Sequence, residues 1–408
     1  MEGKLSDHPG MFAAGQPRLL RAINERTILE LIRRTGTTSR AQIARESGLS
    51  KPTVSLALSG LIAAGLVHEV GRATGGKGPS AVLYELNPSA GWVVGIDVGR
   101  QWVRVALADI TGRIIARRDE RARARSATTL VAQIGRIGHD VAADAGLRWS
   151  QVTHATVGNP GVLDPSRGQL SLAPNLPGWG KPGLVEAIRA ELGTRTSFEN
   201  DVNLAALGER ALGAGRGVSD FCFLWIGTGV GLGIVIGGEL NRGAAGAAGE
   251  IGYLPLGPGD PHDPAVRRRG LFEESASGAA VVCAAREAGM QARTPKAVFA
   301  AARRGERAAL RAVDVEAARI ALAIAAVAPV LDPELVILGG GIARGGGDLL
   351  LEPVARELAA LSPFRPRLAI TELGDEAVLH GAVSVALDAA RSEIFTRAQQ
   401  PVRKERVV

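Results

Sequence analysis

Apolar residues recur at helical spacing from Arg18 to Arg34, at Leu19, Leu20, Ile23, Ile28, Leu29, Leu31 and Ile32, and Gly36 stops the run. Ser39 stands where a cap is needed for a short helix from Arg40 to Glu46, with Ile43 and Ala44 inward. Gly48-Leu49 makes a turn, Ser50 caps a third helix from Lys51 to Ala64, and Pro52 falls in its tolerant first turn. Val54, Leu58, Leu61 and Ile62 form the buried stripe of that helix, while Lys51, Thr53, Ser55 and Ser59 give an opposite face free of acid. Two short strands follow, Leu66 to Val70 and Ala81 to Leu86, joined by a glycine-rich stretch that holds Arg72 and Lys77. Helix, glycine turn, capped helix and basic hairpin are the parts of a winged helix-turn-helix. Residues 18–86 are therefore expected to bind a double-stranded DNA operator. The expected contacts are Arg40, Ser50, Lys51, Thr53 and Ser55 around the recognition helix, with Arg72 and Lys77 on the wing. Residues 1–17 read as a disordered lead. The alternative is a small helical domain that packs on a partner. Against it, residues 1–90 hold eleven Lys/Arg and seven Asp/Glu, a net of +4.

After a linker at 87–91 the pattern becomes α/β. Trp92 to Gly99 is an apolar strand ending in an Asp-x-Gly turn at Asp97-Val98-Gly99. Val103 to Asp109 returns beside it, Arg113 to Ala116 adds a third strand, and Thr128 to Ala145 reads as a helix. That order opens one half of an actin-like ATPase fold. The expected fold class is thus a winged helix-turn-helix followed by a two-lobed α/β domain of the actin-like, ribonuclease H-like kind. The lobes are expected at 92–195 and 196–390, with a solvated basic tail at 391–408.

The chemistry concentrates between Thr196 and Tyr253. Glu199-Asn200-Asp201-Val202-Asn203 is a polar cluster, and Phe221 to Ile226 is an apolar strand entering Gly227-Thr228-Gly229-Val230-Gly231. Glycines at such a turn let backbone N–H groups close on an anion. Gly249-Glu250-Ile251-Gly252 follows, and Leu335 to Leu338 enters a similar turn at Gly339-Gly340-Gly341. A lone glycine turn is a weak signal; several with interleaved carboxylates predict a pocket for a small polar ligand.

Composition narrows the class. The net charge of +7 favours an anionic partner without naming it. Two cysteines, Cys222 and Cys283, exclude a disulfide scaffold and are expected to be buried thiols. Met1 to Pro17 lacks an apolar signal core, and Ile320 to Leu331 is too short for a bilayer, so the expectation is a cytoplasmic protein with no membrane partner.

Taken together these segments resemble the ROK family (repressors, open reading frames and sugar kinases) in its DNA-binding branch, from about Arg18 to Ala390. The resemblance rests on Asp97-Val98-Gly99, Asn175, Glu199 to Asn203, Gly227 to Gly231 and Gly249 to Gly252. It implies that Asp201 matches the base that takes a proton from the sugar in the family's kinases. It also implies that Asn175, Asn200, Glu250 and Glu273 meet sugar hydroxyls, with Tyr253 where a sugar-side histidine stands. Asp97, Gly99, Gly227, Thr228, Gly229, Gly339 and Gly340 match phosphate-holding turns. Three departures follow. Arg100 and Gln101 replace a glycine and a threonine that hold ATP phosphates, so ATP and catalysis are not expected. Tyr253, Pro264, Val266 and Leu271 replace the histidine and three cysteines of a structural zinc site, so no metal or other cofactor is expected. Tyr253 also alters the sugar's surroundings. The implied function is a sugar-responsive DNA-binding regulator, a repressor of carbohydrate genes, acting as a homodimer or homotetramer with a small sugar or sugar derivative as effector. The alternatives are an ATP-dependent sugar kinase with an added DNA-binding domain, and a repressor whose sugar pocket is vestigial.

Overall fold

The computed structural model describes residues 17–73, 81–123, 126–164, 168–171 and 176–399. The expected disordered lead, the wing tip with Lys77, and Asn175 lie outside the described residues, apart from Pro17. The chain divides into two units. The smaller holds the chain up to Trp92, the turn Asp109–Arg113 and the chain from Ala389; the larger holds Val93–Ala108 and Ile114–Asp388.

The smaller unit contains α1 (Pro17–Thr35), β1 (Thr38–Ser39), α2 (Arg40–Ser47), α3 (Lys51–Ala63), β2 (Val67–Arg72) and β3 (Val82–Leu86). Both caps form as expected: Ser39 Oγ accepts from the Gln42 N–H at 3.3 Å and Ser50 Oγ from the Thr53 N–H at 3.3 Å. Gly48 closes α2 at φ 70°. The sheet order β1-β3-β2 adds a strand missing from the sequence reading, since two residues are too few to show a period. Ile28, Ile32, Ile43, Val54, Leu58, Leu61 and Tyr84 form the core. The expected apolar face of α1 is corrected at its start: Leu19, Leu20 and Ile23 are 51–59% exposed, because α1 outruns the helices it packs on. Where α1 crosses α3, a Cβ on Gly60 would stand 2.3 Å from Glu25 Oε1, so glycine permits that approach.

The larger unit is built on two five-stranded sheets. Its first half runs β4 (Trp92–Val98), β5 (Trp102–Asp109), β6 (Ile114–Arg121), α4 (Ala127–Asp144), β7 (Val152–Asn159), β8 (Val162–Asp164), β9 (Gln169–Ser171), α5 (Leu184–Leu192), β10 (Thr196–Asn200) and α6 (Asp201–Leu212). The sheet order is β10-β7-β4-β5-β6. This moves the expected lobe boundary at 195/196: β10 runs parallel to β7, from Thr196 opposite Ala155 to Asn200 opposite Asn159, and so completes the first sheet. Local pattern marks a strand but not its distant partner.

The second half runs β11 (Phe221–Ile226), β12 (Val230–Ile236), β13 (Glu239–Leu240), α7 (Pro264–Arg269), α8 (Leu271–Ala276), α9 (Gly278–Glu287), α10 (Pro295–Arg303), α11 (Arg307–Leu331), β14 (Leu335–Gly339), α12 (Gly340–Gly346), α13 (Asp348–Leu361), β15 (Arg367–Ile370) and α14 (Ala377–Gln399). Its sheet order is β13-β12-β11-β14-β15. Glu209, fully buried at the end of α6, accepts hydrogen bonds from the N–H groups of Ala214 (2.8 Å) and Leu373 (3.1 Å) and from the Thr371 hydroxyl. A buried carboxylate with that many donors fastens α6 to the loop after β15.

The expected basic tail is also corrected. Helix α14 continues through Gln399; its Val378 and Ala382 belong to a core of the larger unit, whereas Ile394 and Phe395 pack on the core of the smaller one. Arg391 donates to the Ile110 carbonyl from Nε at 3.2 Å and from Nη2 at 2.8 Å. The DNA-binding unit is thus completed from the far end of the described chain. Of the two thiols expected to be buried, Cys222 is and Cys283 is exposed. Among the described residues no helix is long and apolar enough to cross a membrane.

Candidate functional site

In the smaller unit, α3 presents Lys51 to solvent and Thr53 and Ser55 in part. Ser50 and Thr53 are less free than sequence suggests, since their hydroxyls lie 2.8 Å apart while Ser50 caps the helix. Arg40 lies over the Tyr84 ring at 5.4 Å, a cation–π contact that anchors α2 to β3. Arg72, at the end of β2, is exposed. Sequence reasoning missed Leu56, 60% exposed on α3 between Ser55 and the buried Ala57. The signal was a large apolar residue outside the stripe, a shape suited to a thymine methyl group.

In the larger unit an open pocket gathers Asn200, Asp201, Glu250, Tyr253 and Glu273 with Gly99, Thr228 and Gly229. Asp97, Gly227, Gly339 and Gly340 are not among its lining residues. Asn200 ends β10 and caps α6: its Oδ1 accepts from the Val202 and Asn203 N–H groups at 2.9 and 3.2 Å, and its Nδ2 donates to the Gly161 carbonyl at 3.1 Å. Most of that amide is therefore already spoken for. Asp201 opens α6, and its Oδ1 accepts from the Val202 N–H at 2.9 Å. Buried Glu199 holds this corner, accepting from Asn203 Nδ2 at 2.9 Å and Arg242 Nε at 2.6 Å. Helix α6 can press on β12 because a Cβ on Gly233 would meet Ala206 Cβ at 2.6 Å.

On the opposite wall Glu273 of α8 accepts from the Val230 N–H at 3.1 Å. Burial raises the pKa of Asp201 to about 7, with the charges of Asp97 and Glu250 adding to it. Burial likewise raises Glu250, reinforced by Glu273, and raises Glu273 against the pull of the Val230 N–H and Arg269. Three carboxyls with raised pKa values in one pocket can accept from, and when protonated donate to, ligand hydroxyls.

Gly99 donates its N–H to the Trp102 carbonyl at 2.9 Å, leaving Arg100 and Gln101 exposed at the tip of the turn. Sequence reasoning also missed Arg104, whose Nη1 lies 2.8 Å from the buried Asp97 Oδ2. Burial nonetheless raises the Asp97 pKa, with Arg104 opposing. Strand register, absent from the residue order, makes that pair.

The four positions that replace the zinc ligands carry one phenol and three apolar side chains, so the residues present do not fit that metal. Tyr253 OH instead leans on the Arg268 carbonyl at 3.4 Å, and Leu271 is core. His262 is exposed and Asp263 caps α7.

A family model for ROK matches residues 93–389. The chain belongs to the ROK family. A winged helix-turn-helix DNA-binding model matches residues 21–68 of this ROK chain. It is similar to a putative xylose repressor of Caldicellulosiruptor sp. (strain Rt8B.4), 29% identical over 395 residues that cover 91% of this chain and 97% of the relative. It is 30% identical to the ROK hexokinase of Thermus thermophilus, with a TM-score of 0.62, covering 74% of this chain and 99% of that structure. A ROK-family transcriptional regulator, homolog of the E. coli MLC protein, shares its fold over 93% of this chain and 99% of that one, at TM-score 0.76 and 20% identity.

Proposed function

We propose that this ROK chain is a sugar-responsive DNA-binding repressor. The observation that carries the reading is the pairing, in one chain, of a capped, acid-free helix on a winged helix-turn-helix with a pocket lined by carboxyl groups. The repressor similarity over nearly the full chain supports it, as does the larger unit's likeness to sugar kinases. The partners are an operator duplex and a small sugar or sugar derivative, and the place of action is the cytoplasm. Two copies reading half-sites about one helical turn apart fit a repressor of this kind.

The kinase alternative is weaker. Arg104 takes up the Asp97 carboxylate that would otherwise be free for a metal-bound phosphate, and two long side chains stand at the Gly99–Trp102 turn. Purified protein is expected to hold no stoichiometric zinc; elemental analysis giving one zinc per chain after dialysis would overturn that.

The test uses an operator selected from a randomised duplex pool, then a panel of sugars to release it. Retention of the operator at every sugar concentration would leave the effector reading without support. Arg72→Ala is expected to weaken all duplexes alike and to lower the slope of log affinity against log salt by about 0.9, one phosphate contact. An unchanged slope would remove the wing from the DNA interface.

A further inference from the structure

The pocket described above has a second chemical character that its carboxylates do not use. Arg100, Arg268 and Arg269 also line it, which balances Asp201, Glu250 and Glu273 charge for charge. The two sets are not joined into ion pairs. Arg269 acts on Glu273 only at a distance, as a charge that lowers its pKa. Arg100 and Arg268 make no side-chain hydrogen bond or salt bridge among the described residues, and both are exposed. Elsewhere in this unit arginines near acids do pair, as Arg104 does with Asp97 and Arg242 with Glu199.

Of the three, Arg100 is the best placed to serve a ligand. The Gly99–Trp102 hydrogen bond fixes its turn, and the nearby Asp97 is already satisfied by Arg104. A pocket lined both by carboxyl groups and by an unpaired guanidinium matches a molecule that carries hydroxyls and a negative charge. Guanidinium meets phosphate or carboxylate in a two-pronged geometry that a neutral hydroxyl cannot use. The raised pKa values of Asp201, Glu250 and Glu273 ease the entry of an anion, since repulsion falls wherever a carboxyl is protonated.

We infer that the effector is an anionic carbohydrate, a sugar phosphate or a sugar acid, whose charged group is met by Arg100. This rests on the reading of the pocket as a sugar site. It adds that charge, rather than the hydroxyl pattern alone, selects the ligand.

The experiment is calorimetric titration of the full chain with matched sets: a neutral hexose, its 6-phosphate, the corresponding uronic acid, and inorganic phosphate alone. The expected result is that one anionic member binds roughly tenfold or more tighter than the neutral parent. That preference should vanish in Arg100→Ala and return in part in Arg100→Lys. Comparing phosphate ester with uronate distinguishes the two sources of charge, and inorganic phosphate alone is expected to bind weakly. If the neutral sugar binds as well as or better than its anionic forms, or if the preference survives in Arg100→Ala, the inference falls while the sugar pocket stands. If no member of any set binds, and thermal melting shows Arg100→Ala to be folded, both this inference and the sugar reading fail together.

Discussion

Above pH 7, where Asp201 is ionised, Asp201→Asn is expected to leave operator binding intact and to weaken the effector by roughly one to two decades, because loss of a charged acceptor costs about 1.5–3 kcal/mol. The substitution keeps the shape of the first turn of α6 and removes one charge. Its pH dependence identifies the group. With its pKa raised from 3.8 to about 7, folded Asp201 holds a proton that the unfolded chain gives up between those values. Its contribution to stability is therefore fully present below the unfolded pKa and is lost as pH rises through the folded one. In ligand-free protein Asp201→Asn should raise Tm most above pH 7, by a few degrees for about 1–2 kcal/mol, with the gain shrinking toward pH 4. A mutant that releases DNA at the wild-type effector concentration would remove Asp201 from the site. ATP turnover with any sugar, abolished in Asp201→Asn, would make the chain a kinase.

Gly249→Ala is expected to cost more, about 2–5 kcal/mol, from overpacking added to backbone strain. Gly249 sits at φ +92°, and a Cβ there would lie 1.8 Å from the Leu232 carbonyl oxygen. The Leu232 N–H donates to the Gly249 carbonyl at 2.9 Å, so the segment carrying Glu250 is strapped directly to β12. Methylation of Gly249 must lift that strap and move Glu250. Gly237→Ala is the control: its φ is +58°, nothing lies within 4 Å of the new Cβ, and only about 1 kcal/mol is expected. Equal melting temperatures for the two variants would show that the strap does not hold the pocket.

Much of this was legible in the residues. Caps at Ser39 and Ser50, the stripe on α3 and the glycine turns have short-range causes, and each is found where spacing puts it. The pocket's carboxyls were legible through motif as well as chemistry. What sequence could not show were features set by distant pairing: the place of β10 beside β7, the Arg104–Asp97 contact, and the exposed start of α1. The Asn200 amide was legible as polar but not as already engaged, because only the fold shows that β10 ends where α6 needs a cap. Arg268 and Arg269 carry no motif, and only the fold, through α7, sets them at the pocket.

The packing of Ile394 and Phe395 against the winged-helix core has a consequence for how the protein is made. Helices α1 to α3 are synthesised well before α14, and the two residues that pack on their core follow about 300 residues later. At usual elongation rates that is a delay of about 15–60 s. Throughout that interval the nascent chain carries the recognition helix without the packing that Ile394 and Phe395 add to its core. By the time that packing is added, the pocket segments from Asp201 to Glu273 have all been synthesised. Chains stalled before α14 are expected to be retained less well on operator DNA than the full chain, and equal retention would show that the packing of Ile394 and Phe395 is not needed for the grip.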